Sequence, residues 1–182
     1  MKLMLGTEGH LALREAHHAA EMARLVSKNR DLLAPFLPWV HSYNGEMDAR
    51  LSITKHQEQA REGISLNLGI WIGEELSGMV SFVHIDPLRQ KASLGYWLDQ
   101  DKHGQGWMRK ACKALLTHGF EAMNMKEVQA QCAQTNSPSQ NLLRAIGFEK
   151  GGFVQGPDWA SQQELQYIRY KLTCEKWLAL KS

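Results

Sequence analysis

A glycine-containing loop stands between a strand-like segment and an amphipathic helix. Gly95–Asp99 has the pattern of a strand end, residues 103–108 have the sequence HGQGWM, and apolar residues at helical spacing follow over Met108–Phe120. Glycines let successive backbone N–H groups converge on an anion, and the N-terminus of a helix adds partial positive charge there. The junction therefore predicts a phosphate site, although two glycines alone are equally compatible with a simple turn.

A second segment that could take part in chemistry runs from Asn136 to Phe148. It places Ser139 next to a proline, at the start of a short predicted helix that Gly147 ends. A serine in such a place commonly caps the helix or lies in its first turn. By its position alone, Ser139 is therefore a candidate helix cap or first-turn residue.

The order of elements along the chain is that of an α/β (α+β) protein. Alternating and helical hydrophobic patterns predict a mixed central β-sheet flanked by helices on both faces. The predicted strands are Leu11–Arg14, Leu66–Ile72, Leu76–Ile85, Ala92–Leu98, Val128–Cys132, Phe148–Val154 and Leu165–Leu172. The predicted helices are Ala16–Val26, Asp48–Glu62, Met108–Phe120 and Pro138–Ile146. Residues 29–44 are apolar but contain prolines, which favours a loop or short helix that covers a cavity.

Length and composition favour a single domain over residues 1–182, with a core of about residues 10–175. The net charge of +2 provides no broad field for nucleic acid. Three widely spaced cysteines predict reduced thiols in a cytoplasmic protein, and no apolar run approaches the roughly 20 residues of a membrane span. The eight histidines lack the spacing of metal ligands, so no metal is expected.

Taken together, the two segments resemble the GNAT superfamily of N-acetyltransferases. The glycine loop is similar to the pyrophosphate loop of that family, Q/R-x-x-G-x-G/A, with His103 in place of Gln or Arg and Met108 in place of a small residue. Gly95–Asp99 and the segment from Asn136 to Phe148 resemble the ribosomal-protein N-terminal acetyltransferases of the RimL and RimJ type. The resemblance implies the GNAT fold, acetyl-CoA as co-substrate and direct attack of an amine on the thioester in a ternary complex.

The resemblance also implies roles for individual residues. Ser139 would protonate the departing thiolate, and backbone N–H groups near Leu98 would bind the acetyl oxygen. Ser93 occupies the place where many members have a glutamate, so the candidate base is Asp158, with His84 or a water molecule as alternatives. The residues implied to contact the coenzyme are Leu98, His103, Gly104, Gln105, Gly106, Trp107, Met108, Asn136 and Ser139.

Aromatic residues in loops and at strand ends are candidates for the acceptor wall. These are Trp39, Tyr43, Trp97 and Trp159, for which packing is the competing explanation; Trp177 is expected to be packing only. The likeness favours the N-terminal α-amine of a ribosomal protein as acceptor. Small amines, such as aminoacyl-nucleotides, polyamines or antibiotics, remain alternatives, as does a CoA-binding module with weak catalysis. A homodimer is left open.

Overall fold

The computed structural model describes residues 1–157 and 164–181, and the predicted site residues Asp158 and Trp159 lie outside these ranges. Eight strands among the described residues form one sheet. Their bounds are β1 Lys2–Met4, β2 Gly9–Leu13, β3 Leu66–Ile72, β4 Glu75–Asp86, β5 Lys91–Leu98, β6 Glu127–Ala133, β7 Glu149–Pro157 and β8 Glu164–Thr173.

Helices cover both faces of this sheet. Their bounds are α1 Ala19–Lys28, α2 Arg30–Leu33, α3 Glu46–Arg61, α4 Trp107–Glu121, α5 Ser137–Ile146 and α6 Cys174–Lys181. Helices α1 and α3 pack with one apolar cluster that contains Trp71, Met79 and Trp97. Helices α4, α5 and α6 pack on the other face, because their apolar stripes face a cluster centred on Val80 and Leu94.

The strand order is β1-β2-β3-β4-β5-β6-β8-β7, and only β5 and β6 are paired in parallel among the described strands. The parallel pairing is short: it begins at Lys91 opposite Glu127 and ends at Ser93 opposite Gln129. From Leu94 onward, β5 and β6 have no recorded pairing, so the sheet opens between them. The mixed α/β sheet with helices on both faces is therefore confirmed, and a gap lies at its centre.

Several local predictions need correction. The sequence analysis omitted β1 and α6, because β1 has only three residues and the apolar residues of α6 do not form one clear stripe. Arg14 was assigned to a half-buried strand, but it follows β2 and its side chain is only 2% exposed. Its Nη2 donates a hydrogen bond to Nδ1 of His56 in α3 over 2.7 Å, and burial lowers the pKa of Arg14 to about 10.

Trp177, in α6, is 3% exposed and its ring lies 5.9 Å from that of Phe120, so its predicted packing role is confirmed. The helix predicted at Ala16–Val26 begins later, at Ala19, after one 3-10 turn over Ala16–His18. Residues 1–157 and 164–181 contain no helix that is long and apolar enough to span a bilayer.

Candidate active site

The gap between β5 and β6 opens, at the end of β5, into a cavity of about 490 Å³, here called the loop cavity, whose lining comes from both faces of the sheet. Its walls come from the end of β5, the glycine loop, the start of α4, the start of α5 and the segment around α2. The predicted site residues among its lining are Trp97, Leu98, His103, Gly104, Gly106, Trp107, Met108, Asn136 and Ser139. Two segments more than 30 residues apart in sequence therefore share one cavity.

The glycine loop presents free backbone donors to this cavity. Gly104 and Gly106 have φ values of +73° and +79°, a conformation that residues with a side chain rarely adopt. Gly106 directly precedes α4, and the first recorded helical bond at this end joins the N–H of Lys110 to the carbonyl of Gly106. Within the described residues, the N–H groups of Met108 and Arg109 have no recorded partner. These donors and the helix dipole suit an anion.

Side chains of the loop brace its backbone. His103, at the first position of the motif, bonds through Nε2 to the carbonyl of Leu98 over 3.0 Å. Gln105 donates from Nε2 to the carbonyl of Asp101 over 3.0 Å and accepts from Nε1 of Trp107 over 3.3 Å. Gln105 is the one loop residue of the predicted set that is not among the cavity's lining residues. His103 and Gln105 thus hold the shape that their neighbours' N–H groups require.

A buried carboxylate anchors the start of the loop to the N-terminal half of the chain. Asp99 is 1% exposed, and it accepts hydrogen bonds from Nζ of Lys28 over 2.7 Å and from Nδ2 of Asn29 over 3.1 Å. Burial alone would raise the pKa of Asp99, but these hydrogen bonds outweigh it and lower the pKa. Asn29 also accepts from the N–H of Gln100 over 2.9 Å. This network fixes the end of β5 against α1.

Ser139 directs its hydroxyl to another hydroxyl in the cavity. Asn136 caps α5, since its side-chain oxygen accepts from the N–H of Ser139 over 3.1 Å, so the hydroxyl of Ser139 is not the cap. The Oγ of Ser139 lies 2.6 Å from Oη of Tyr96. Burial raises the pKa of Tyr96 well above its ordinary value, although the Ser139 contact opposes this, so Tyr96 stays protonated and can donate.

Tyr96 was missed in the sequence analysis, although one signal was available. Side chains alternate along a strand, and Tyr96 lies on the same face of β5 as Leu94 and Leu98, which pack toward α4 and α5. A tyrosine on that face must meet whatever begins α5. Its partner, however, is 43 residues away, so the contact itself cannot be obtained from spacing.

The segment before α3 covers the loop cavity, as predicted. Leu33, Phe36 and Leu37 line the cavity, and a 3-10 turn over Pro38–Ser42 follows them. Arg30 ties this turn down by donating to the carbonyl of Val40 over 2.6 Å and to that of Tyr43. The cover is therefore held at both ends by hydrogen bonds.

Three of the predicted aromatic residues form a cluster beside the cover. The ring of Trp39 lies 5.5 Å from that of Tyr43 and 6.4 Å from that of Trp97. Tyr43 and Trp97 are 6% and 8% exposed, so packing accounts for most of their surface. Trp39 is half-buried, and it is the member of the cluster with surface left for a ligand.

A second cavity of about 680 Å³, here called the sheet groove, lies at the last paired residues of β5 and β6, on the face of the sheet that carries α1 and α3. Leu94 and Ala130, at the edges of the gap, line it together with Ser93. His84, the alternative base, lines the same groove and is exposed. No group of three or more His, Cys, Asp or Glu side chains in residues 1–157 and 164–181 is arranged to hold a metal ion.

Comparison with known proteins agrees with this geometry. The model of the acetyltransferase (GNAT) domain family matches residues 10–149. The ribosomal-protein-serine acetyltransferase of Escherichia coli K12 is 29% identical over 132 residues, 72% of this chain and 74% of that protein. A putative ribosomal N-acetyltransferase of Bacillus subtilis 168, YdaF, is 25% identical over 171 residues, 92% of this chain and 93% of that protein.

Solved structures give the same fold. The structure of RimL, a ribosomal L7/L12 α-N-protein acetyltransferase in complex with coenzyme A, superposes with a TM-score of 0.91 at 23% identity, covering 95% of this chain and 98% of RimL. The chain therefore belongs to the GNAT acetyltransferase family, and its relatives are of the RimL type. It is an N-acetyltransferase, an enzyme that takes acetyl-CoA as its co-substrate.

Proposed function

We propose that the chain transfers the acetyl group of acetyl-CoA to the N-terminal α-amine of a protein, and that the two substrates meet in the gap between β5 and β6. The observation that carries this proposal is the end of strand pairing at Ser93 and Gln129. Beyond that point β5 and β6 separate, with the sheet groove at their last paired residues and the loop cavity at the end of β5. Two substrates can therefore reach the separated strands from different cavities.

The coenzyme would occupy the loop cavity. Its pyrophosphate would accept hydrogen bonds from the free N–H groups at the start of α4, between Gly106 and Arg109, where the helix dipole also favours negative charge. Its pantetheine arm would follow the unpaired edge of β5, whose backbone groups can bond to amides of the arm. The N–H groups near Leu98 would then stabilise the oxyanion that develops on the acetyl carbonyl.

The chemistry requires positioning and a proton donor. The amine nitrogen attacks the carbonyl carbon and forms the C–N bond; the C–S bond then breaks, and the thiolate takes a proton from the hydroxyl of Ser139. Tyr96, 2.6 Å away, can return a proton to Ser139 and recover its own from solvent. An α-amine has a pKa of about 7.7 to 8.0, so part of it is neutral near pH 7 and water can accept its proton.

The acceptor would reach the gap from the sheet groove, and Trp39 with its aromatic neighbours would lie beside the loop cavity, where the amine meets the thioester. A groove open to solvent suits the end of a polypeptide, because the rest of the chain can leave the site. The RimL-type relatives act on ribosomal proteins by their names, which supports a protein N-terminus as acceptor. Asp158 remains a proposed base, alongside water and His84.

The test is mass spectrometry of a peptide that has a free serine N-terminus and one internal lysine, incubated with acetyl-CoA and the protein. We expect one acetyl group, on the α-amine, and none on a control peptide whose N-terminus is formylated. Acetylation of the lysine alone, or turnover of spermidine or an aminoacyl-nucleotide without any peptide product, would replace this proposal with the small-amine alternative. No thiol release with any amine would leave a CoA-binding module.

A further inference from the structure

The sheet groove carries positive charge. Its lining includes Arg169 and Lys171 of β8, together with the neutral polar residues Ser93, Gln129 and Gln131, and the described lining contains no Asp or Glu. Both cations are exposed. A groove with this wall attracts an anionic ligand and repels a cationic one.

Nearby carboxylates do not neutralise these cations directly. Glu127 is paired with Lys91 over 3.0 Å, and Glu149, opposite Lys171 in the sheet, is paired with Lys176 over 2.7 Å. Within the described residues, no ion pair involves Arg169 or Lys171. Their positive charge is therefore available to a ligand in the groove, reduced only by longer-range attraction to the two glutamates.

Strand register fixes how far these charges lie from the gap. Ser93 is opposite Gln129, and Gln129 is opposite Lys171, so Lys171 is two strands from Ser93. Gln131 is opposite Arg169, one pleat further along the same face. Because neighbouring strands lie about 4.8 Å apart, Lys171 is about 10 Å across the sheet from Ser93, and Leu98, near which the thioester carbonyl would bind, lies about 16 Å further along β5.

We propose that the acceptor is an acidic N-terminal segment, with Asp or Glu at about its fourth to sixth positions, bound by Arg169 and Lys171. This inference rests on the proposed function, because it assumes that the amine enters the gap from the sheet groove. An extended chain advances about 3.3 Å per residue, so the span from an amine near Leu98 to the two cations, about 14 to 19 Å, corresponds to roughly four to six residues. The acidic side chains then face the two cations across the strands of the groove.

The experiment compares three peptides with the wild-type enzyme and saturating acetyl-CoA. Each has a serine N-terminus followed by three alanines, and then by two aspartates, two alanines or two lysines. We expect kcat/KM to be highest for the aspartate peptide and lowest for the lysine peptide, with about tenfold between the extremes, since exposed ion pairs are individually weak. Raising the salt concentration should shrink this preference, because salt screens exposed charges.

Charge reversal separates recognition from folding. The double variant Arg169→Glu, Lys171→Glu should prefer the lysine peptide over the aspartate peptide, while KM for acetyl-CoA stays within about twofold. A gain on one substrate cannot result from misfolding. Lys2→Glu is the control for a single charge reversal on another strand, because it lies in β1, at the far edge of the sheet, and it should keep the wild-type order.

Equal acetylation of all three peptides, or an unchanged order in the double variant, would overturn this inference and leave the proposed function intact. Preference for an aminoacyl-nucleotide over every peptide would overturn both, because an anionic small molecule would then account for the basic groove. Absence of any peptide product at low salt, together with turnover of a polyamine, would also reject both.

Discussion

The two openings of the β5–β6 gap differ in what they offer a ligand. The loop cavity offers backbone: N–H groups at the start of α4 and the unpaired edge of β5, under a cover that includes Phe36. The sheet groove offers exposed side chains on its strands, mainly amides and cations. Backbone N–H groups suit the pyrophosphate of the coenzyme, which is the same in every reaction. Exposed side chains, by contrast, can be exchanged without disturbing the fold. The coenzyme side thus follows from the fold, and acceptor choice follows from the groove.

The largest effect is expected from Gly106→Val, which should abolish the rise in melting temperature that acetyl-CoA produces. A valine at φ +79° would strain the loop and turn its N–H groups away, although it meets no atom within 4 Å in the protein itself. The matched control is Gly73→Val, in the β3–β4 turn, where φ is +61° and the space is equally open. Gly73→Val should lose comparable stability but still show the rise in melting temperature on adding acetyl-CoA. If Gly106→Val also shows this rise, the pyrophosphate binds somewhere other than the glycine loop.

A smaller effect is expected within the loop cavity from Ser139→Ala. Turnover should fall by about 10² or more, the range of general acid catalysis, with the affinity for acetyl-CoA within a few fold. Turnover should fall less in Tyr96→Phe, because the hydroxyl of Ser139 remains and loses only its partner at 2.6 Å. Ser137→Ala, at an exposed position of the same helix, should leave turnover unchanged. Turnover within threefold of wild type for Ser139→Ala would remove it from the mechanism.

The smallest effect concerns the stability of the contact between α3 and the residue that follows β2, where His56 meets Arg14. Burial, with help from Arg14 and Lys55, lowers the pKa of His56 to about 4, below its ordinary 6.5. Between pH 6.5 and about 4, His56 therefore binds a proton more readily in the unfolded chain than in the folded one. The free energy of unfolding falls as the pH is lowered through this range, by at most about 3 kcal/mol.

Urea unfolding at pH 7 and 4.5 measures this loss. His56→Gln should flatten the pH dependence, because a glutamine oxygen can still accept from Arg14 but does not titrate at these pH values. The exposed His17→Gln is the control and should keep the wild-type slope. If both variants lose stability on acidification as wild type does, other groups cause the loss.

Sequence patterns predicted those features of the fold that depend on a few neighbouring residues. The glycine loop, the helix from Ser137 and the order of most elements follow from turn residues and periodicity, which act over a few positions. The pairing of Tyr96 with Ser139 and the burial of Arg14 against His56 join residues more than 40 positions apart. Such contacts depend on how strands and helices pack, so only the folded chain shows them.

The same limit applies to the sheet groove. Arg169 and Lys171 lie more than 70 residues after Ser93 in the sequence. The alternation of side chains along a strand shows that the two cations share a face, but it does not show which part of the sheet that face lies beside. Register supplies the missing information, because it places that face beside Ser93. The sequence therefore could not predict the sheet groove, whereas it could predict the glycine loop of the coenzyme side.

The central claim is that the loop cavity serves the coenzyme and the sheet groove serves the acceptor, and Ser93→Phe tests it most directly. Ser93 lines the sheet groove at the last paired position of β5 and is absent from the lining of the loop cavity, so a phenylalanine there should block the acceptor alone. Calorimetric titration of acetyl-CoA and kcat/KM for a serine-initiated peptide are measured on the same preparation, with Ser93→Ala as the control. The account predicts a coenzyme Kd within about threefold of wild type and kcat/KM lower by about 10² or more, while the control stays near wild type. Unchanged kcat/KM in Ser93→Phe would contradict it, because the acceptor would then reach the thioester by another route.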